Sequence, residues 1–446
     1  MAETTTGRLA SREALVTALV GLWLGVLLLK FGNPVVLAEK VPAPADLLSW
    51  LFMPWPTVWG YGSVVAVVGV GLTLWRWPER TPRWVLWLPA LWLGWQLLSA
   101  TQSVEPRLSA LTVSHFACCA ACFYLGLCVL GWVRTMHWVW ISWGLGFAGV
   151  LVAGFDQHFG GLEEARRWFF AYEYPKLTEP PSPEFLAKLQ SQRIYGTLFY
   201  PNTLAGAILL TLPMLLGAIG QCQGLSRLLR WALAMLLGGA SLTCLWWSGS
   251  KAGWLILLIM AGVGVLGFTT LTRLRTVILV VGLAAGLCVF LARHQGYFSA
   301  GAKSMGARLH YWKAALGVIR ARPLLGSGPG TFGVMYRQVK PPEAEMARLA
   351  HNDYLQQGSD AGLVGLLGFS AMVLGNLGLL YRKSAQSTAL FPVWLGLFGL
   401  AMQEFVEFNL FIPALAWPQF LFLGWLWART SDPSVQQSRS LYASVA

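Results

Sequence analysis

Long apolar runs separated by short polar joints repeat along nearly the whole chain, near 14–30, 57–75, 84–99, 113–133, 137–154, 203–219, 231–247, 253–270, 276–292, 362–380, 389–403 and 410–427. Most are long enough to cross about 30 Å of hydrocarbon as a helix. In lipid every backbone N–H and C=O must be satisfied within the segment, so runs of this kind predict helices. The pattern therefore predicts an all-α, polytopic membrane protein of about twelve transmembrane helices. The first run follows Arg8 and Arg12, extends to Lys30 and has further runs behind it. That combination predicts a retained anchor rather than a cleaved signal peptide.

Two polar stretches, about 155–202 and 292–361, are too long to be mere connectors, and loops of this length are usually functional. The first contains Pro175, Pro180, Pro181 and Pro183, and its 184–192 stretch has the composition of a short helix. The expected organisation is one transmembrane domain over 1–430, with these two stretches as outer loops and 431–446 as a disordered tail.

Composition agrees with the apolar pattern. Only 11% of residues are charged and 56% are hydrophobic, whereas a soluble domain carries about a quarter charged. Several of the 24 Trp residues, among them Trp75, Trp77, Trp84 and Trp427, stand near span ends, as interfacial belts require. Charge then orients the chain. Alternate short segments hold Arg8 and Arg12; Arg76, Arg80 and Arg83; Arg134; Arg227 and Arg230; Arg273 and Arg275; Arg382 and Lys383; and Arg429. The intervening short segments hold only Lys30, Lys40, Arg107 and Lys251. The positive-inside rule places both termini in the cytoplasm and both long loops outside it.

Within the second loop Arg293, Lys303, Arg308, Lys313, Arg320, Arg322, Arg337, Lys340 and Arg348 oppose only Glu343, Glu345, Asp353 and Asp360. A positive excess outside the cytoplasm fits an anionic ligand there, or anionic lipid headgroups. Residues 304–321 predict an amphipathic helix with Leu309, Trp312, Leu316 and Ile319 on one stripe and Arg308, Lys313 and Arg320 off it.

Candidate chemistry gathers near the outer span ends. The segment Gly326 to Gly333 lacks the Lys-Ser/Thr ending of a phosphate loop and predicts a tight turn after Pro323. Asp353 and Gln356 have the spacing of a capping box, which would start a helix and leave His351 just outside its N-terminus, a favourable place for an anion. If the helix instead included His351, that residue would point nearly opposite to Asp353 and Asp360, so neither case supports a His–Asp pair on one face. His115 and His137 lie at expected span ends. Lys251 is either an interfacial snorkelling residue or a site cation. Glu404 and Glu407, one turn apart near an outer boundary, are costly at membrane depth and suggest function. Cys118, Cys119, Cys122 and Cys128 lie in one span as packing residues. The spacing of His and Cys suggests no metal site.

RIYGTLFYPN (193–202), GSKAGW (249–254), RLHYWKAALGVIRARPLLGSGPGTF (308–332), AHNDYLQQGSDAGLVGLLGF (350–369) and EFVEFNLFIPAL (404–415) together resemble the O-antigen ligase and polymerase superfamily of bacterial envelope glycosyltransferases. The resemblance spans roughly 190–427; the N-terminal third matches only in hydropathy. It implies a metal-independent, cofactor-free, inverting enzyme of the GT-C type in the bacterial inner membrane. Such an enzyme moves a glycan from an undecaprenyl diphosphate carrier to an acceptor hydroxyl on the periplasmic side. By the same resemblance His351 corresponds to the family's loop histidine and Arg308 to the arginine of its R-x-x-x-W motif. Lys251 stands where Arg is usual and Asp360 where Glu is common. Lys keeps the charge but loses the planar fork that grips a phosphate through two hydrogen bonds.

Charge developing on a departing diphosphate needs fixed cations. Arg308 and Lys251, helped by Arg193 or Arg322, are expected to hold the diphosphate, and His351 to orient or deprotonate the acceptor. Asn202, Asn352, Asp353, Glu404 and Glu407 complete the expected substrate-binding set. Expected partners are the carrier-linked donor, an acceptor that is lipid A core, glycan or protein, and membrane lipid; nucleic acid is not among them. The competing readings are a protein O-oligosaccharyltransferase of the same superfamily, a polysaccharide or lipid transporter without catalysis, and an intramembrane hydrolase or acyltransferase using His351. No internal repeat favours a transporter, and no G-x-S-x-G nucleophile favours a hydrolase.

Overall fold

The computed structural model describes residues 2–176, 189–268, 281–289, 303–342 and 344–431, with isolated positions at 186, 277, 291, 292 and 295. The expected short helix at 184–192 and the span at 276–292 lie partly outside the described residues, and Arg293, Glu343 and the tail beyond Ser431 lie outside them. Among the described residues there is no strand.

The chain is a polytopic α-helical membrane protein. In order, its helices are α1 (Ala2–Lys30), α2 (Leu47–Phe52), α3 (Thr57–Gly71), α4 (Arg83–Ala100), α5 (Pro106–Cys128), α6 (His137–Asp156), α7 (Leu162–Trp168), α8 (Pro201–Gln221), α9 (Arg227–Ser248) and α10 (Lys251–Phe268). After these come α11 (Lys303–Ala321), α12 (Phe332–Val339), α13 (Asp353–Ser370), α14 (Asn376–Ala385), α15 (Phe391–Gln403) and α16 (Pro413–Ser431). Residues 281–289 are also helical. Among the described residues seven helical stretches are long and apolar enough to cross a membrane, and 251–265 and 391–403 are shorter apolar helices.

Local chemistry sets several ends. Pro occupies the first turn of α5, α8 and α15, where its missing N–H costs nothing. The Ser226 side chain accepts from the Leu229 N–H to cap α9, and left-handed Gly249 closes it. The first long outer stretch opens differently from the expectation of a loop. A kink at Gly160, with φ of 141°, turns the end of α6 into α7, and helical turns continue to Lys176.

In lipid there is little hydrophobic drive between helices, so close backbone packing holds the bundle together. α16 packs along α5, α1 along α6, and α15 along α8. Gly126 and Gly424 bring the first pair together. A methyl at Gly126 would overlap the Leu421 carbonyl, and one at Gly424 would overlap that of Phe123.

Backbone hydrogen bonds gather several segments between helices at one end of the bundle. Ala414 N–H donates to Phe31 O at 3.1 Å, Val104 to Ser327 O at 2.9 Å, Ile194 to Trp247 O at 3.4 Å, and Asp353 to Glu404 O at 2.8 Å. That gathered end holds the site.

Candidate functional site

Glu407 lies in the loop between α15 and α16 and is 2% exposed. Its Oε1 accepts from Arg308 Nη2 on α11 and from Asn202 Nδ2 in the first turn of α8. Its Oε2 pairs with His351 Nδ1 at 3.2 Å. Asn202 Oδ1 in turn accepts from Arg193 Nη2 at 2.8 Å, and Arg193 Nε donates to Ser248 O at 2.7 Å. Left-handed Gly249 then turns the chain past the Arg193 side chain into Lys251. Lys251 lies within electrostatic reach of both Arg193 and Arg308.

Burial pushes the Glu407 carboxyl up, but Arg308, the hydrogen bond and charge of His351, and Asn202 together hold it below its ordinary value of 4.5. An ionised Glu407 can only accept, so His351 Nδ1 carries the hydrogen of that contact. Arg193, Lys251 and Arg308 gather beside Glu407, and the forks of the two arginines are suited to gripping an anion.

The backbone at His351 is itself distinctive. Its φ of 50° makes it the one non-glycine in the left-handed region among the described residues. Such a conformation costs on the order of 1–3 kcal/mol and persists only where its surroundings impose it. Here Ala350 N–H donates to Gln356 Oε1 at 2.7 Å, and Trp312 Nε1 donates to His351 O at 3.4 Å. The ring is stacked on Tyr311 at 5.7 Å and meets Phe408 edge-on at 4.7 Å. One residue later Asn352, not Asp353, is the N-cap of α13, its Oδ1 accepting from Leu355 N–H at 2.9 Å. The expected capping box does not form. Asp353 Oδ2 instead accepts from Leu410 N–H at 2.9 Å, which ties the start of α13 to the loop carrying Glu407.

α11 also departs from the expected stripe. Leu309 and Leu316 are 56% and 42% exposed, whereas Tyr311, Ala315, Val318 and Ile319 are buried. The inward face therefore starts with Arg308, which the apolar pattern had put off the stripe. The reason is that Glu407 makes a buried position available to a cation, a partner the local pattern cannot reveal. An open cavity of about 320 Å³ is lined by Arg308, Tyr311 and His351 together with Tyr200, Arg348 and Phe408.

The expected site residues thus divide. His351, Arg308, Arg193, Asn202 and Glu407 are joined by hydrogen bonds, and Lys251 is beside them. Glu404 is buried below, its Oε2 accepting from the Tyr354 hydroxyl at 3.2 Å, and serves the packing of α13. Asn352 and Asp353 fix backbone geometry, as above. Arg322 is exposed beyond the end of α11, about 21 Å along the helix from Arg308 at 1.5 Å per residue; it is not brought to the cluster. His115, expected at a span end, is fully buried in α5, with Nε2 2.7 Å from Leu410 O and Nδ1 accepting from Trp417 Nε1.

The glycine-rich turn forms as expected and has a partner. Gly330 N–H donates to Asp360 Oδ2 at 2.7 Å, and Gln356 Nε2 donates to the same oxygen at 2.9 Å. Left-handed Gly326 and Gly362 lie where a side chain would strike the facing backbone. Tyr311 and Tyr200 were not singled out from the sequence, and Arg348 entered only as part of the loop's positive charge. Tyr311 carried one usable signal, its place three residues after Arg308 on the same helical face.

Residues 232–370 match the family model described as O-antigen ligase. The matched stretch holds Lys251, Arg308, His351 and Asp360, while Arg193, Asn202, Glu404 and Glu407 lie outside it. The match supports the O-antigen ligase and polymerase superfamily and a ligase- or polymerase-type membrane enzyme using a lipid-linked glycan donor and a glycan acceptor. No curated protein matches the chain.

Proposed function

We propose, on the premise that the chain sits with the O-antigen ligases and polymerases, that it is a metal-independent, inverting glycosyltransferase of the GT-C type. It would move a glycan from an undecaprenyl diphosphate carrier to an acceptor hydroxyl at the periplasmic face of the inner membrane. The observation that carries the proposal is the pairing of His351 with Glu407 at 3.2 Å beside Arg308, with Arg193 and Lys251 in the same charge cluster.

Arg308, Lys251 and Arg193 hold the diphosphate, Arg308 exchanging part of its contact with Glu407 for a phosphate oxygen. Glu407 keeps the hydrogen on His351 Nδ1 and so aims Nε2 at the acceptor hydroxyl. As the acceptor oxygen bonds to the anomeric carbon, its proton passes to Nε2. The bond from that carbon to the diphosphate breaks, and its electron pair goes to the diphosphate oxygen. A single displacement inverts the anomeric centre. The cations stabilise charge where it develops, which lowers the barrier rather than merely tightening binding.

The test is transfer by the reconstituted protein from a polyprenyl-diphosphate glycan to candidate acceptors. Wild type is expected to transfer, and His351→Ala and Arg308→Ala to lose at least a hundredfold in rate, within the range of general acid–base and electrostatic contributions. Full transfer by both variants overturns the mechanism. Absence of product with every acceptor would favour transport. Product length separates transfer of a finished glycan from chain extension.

A further inference from the structure

A second, open cavity of about 600 Å³ lies among Arg76, Trp77, Glu79, Arg80, Thr81 and Trp132, with Ala428 and Ser431 also lining it. It is at the opposite end of the bundle from His351. Ser99, near the far end of α4, donates to Leu325 O and Asp360 O beside the glycine-rich turn. The cavity lies before the start of that same 18-residue helix, about 27 Å away along it at 1.5 Å per residue. The end of α16 and the segment after α5 meet there too.

The cavity is built for an anion at the depth of lipid headgroups. Arg76 and Arg80 face only Glu79 among its lining residues, and among the described residues neither arginine forms an ion pair. The indole N–H of Trp132 is buried and lacks a hydrogen-bond partner among the described residues. A buried donor left unpaired in this way costs about 1–3 kcal/mol unless a ligand satisfies it. Thr81 is 5% exposed and immediately precedes Pro82, the N-cap of α4, whose first N–H groups have no acceptor within the helix. The C-terminal ends of α3, α5 and α16 also bring carbonyls to this end of the bundle, and by themselves these would repel an anion. The Arg76 N–H already caps one of them, donating to Cys128 O at 2.8 Å. Trp77 is 59% and Trp84 45% exposed beside the cavity, the placement of rings at a membrane interface.

We infer that this cavity is a binding site for the headgroup phosphate of an anionic phospholipid in the leaflet opposite His351. Arg76 and Arg80 supply charge, and Trp132 Nε1 supplies a fixed donor. A membrane phospholipid fits better than a free anion because the flanking tryptophans and the helix ends set the cavity at headgroup level, where a lipid is present at high local concentration. The inference stands independently of the glycosyl-transfer proposal.

The test is native mass spectrometry of the detergent-solubilised full chain after equilibration with equal amounts of phosphatidylglycerol and phosphatidylcholine. Wild type is expected to retain phosphatidylglycerol preferentially. The double variant R76A/R80A is expected to lose that preference by roughly 25-fold, about fivefold per arginine. R76K/R80K keeps part of it. Trp132→Phe, which removes one N–H and leaves the ring, weakens retention without altering the thermal midpoint of unfolding. R227A/R230A removes charge outside the cavity and leaves retention unchanged. Equal retention by wild type and R76A/R80A, or equal loss in R227A/R230A, overturns the inference. Displacement of the lipid by millimolar inorganic phosphate would show a small-anion site and overturn the lipid assignment.

Discussion

Replacing Glu407 by Gln should separate what the carboxylate does for folding from what it does for His351. In the native protein Glu407 is 2% exposed and accepts from Arg308, Asn202 and His351. The amide keeps the size and one acceptor oxygen but removes the charge. Arg308, whose side chain is 15% exposed, is left without a counter-ion while Arg193 and Lys251 remain nearby. Breaking a buried pair by removing one partner costs about 3–5 kcal/mol, and the partial exposure of Arg308 places the loss at the lower end. The pH dependence has a definite sign. Glu407 is held below its ordinary value of 4.5, so its contribution to stability is fully present above that value and is lost as pH falls through the lower folded-state value. Thermal unfolding followed from pH 7 downward should show a wild-type advantage over Glu407→Gln that is constant above about pH 4.5 and shrinks below it. In transfer assays the variant should lose about 10²–10⁴ in kcat, the range of general base catalysis. Combined with His351→Gln it should lose little more than either single change, because residues acting as a unit are not additive. A variant that keeps its transfer rate, or a wild-type advantage that does not change with pH, would refute the role of Glu407 as the orienting carboxylate.

Lys251→Ala should raise KM for the lipid-linked donor by about tenfold or more, the worth of one charge-assisted contact, whereas Lys251→Arg should preserve or lower it; steady-state kinetics with varied donor check both. Arg322→Ala should leave donor KM within about twofold of wild type, because that side chain is about 21 Å along α11 from Arg308; a large rise would mean the donor reaches much further along the helix. Asp360→Asn should lower stability by about 1–3 kcal/mol, read from the unfolding midpoint, because Gly330 N–H and Gln356 Nε2 share one carboxylate oxygen. Gly126→Ala should be more damaging than Gly94→Ala, since a methyl at Gly94 meets nothing within 4 Å while one at Gly126 overlaps the backbone of α16; comparable yields of folded protein for the two would contradict the packing described.

The helices were legible in the chain because a lipid-spanning segment carries its own evidence: a run of apolar residues that must satisfy its backbone internally. His351 outside a helix start, the turn after Pro323 and Glu407 as an ionisable group near a span end were legible for a related reason, since polar residues at a membrane boundary are conspicuous against an apolar background. The resemblance gave Arg308 its expected role and bore on Lys251, which its place at a span end had already offered as a site cation. Roles that depend on distant contact were not legible. Nothing near His351 in the chain pairs with it; its partner lies 56 residues away on another loop. The inward turn of Arg308 contradicted the local apolar stripe because the carboxylate that makes burial of its charge affordable is 99 residues away. Asp353 and Asn352 exchanged the capping role because Leu410 N–H offered the carboxylate a better place. Hydropathy and charge along one chain therefore determined the elements and the end of the bundle where ionisable groups collect. Only the tertiary fold decided which of those groups touch, because pairing energy in a low-dielectric interior depends on distance in space and not on separation in sequence.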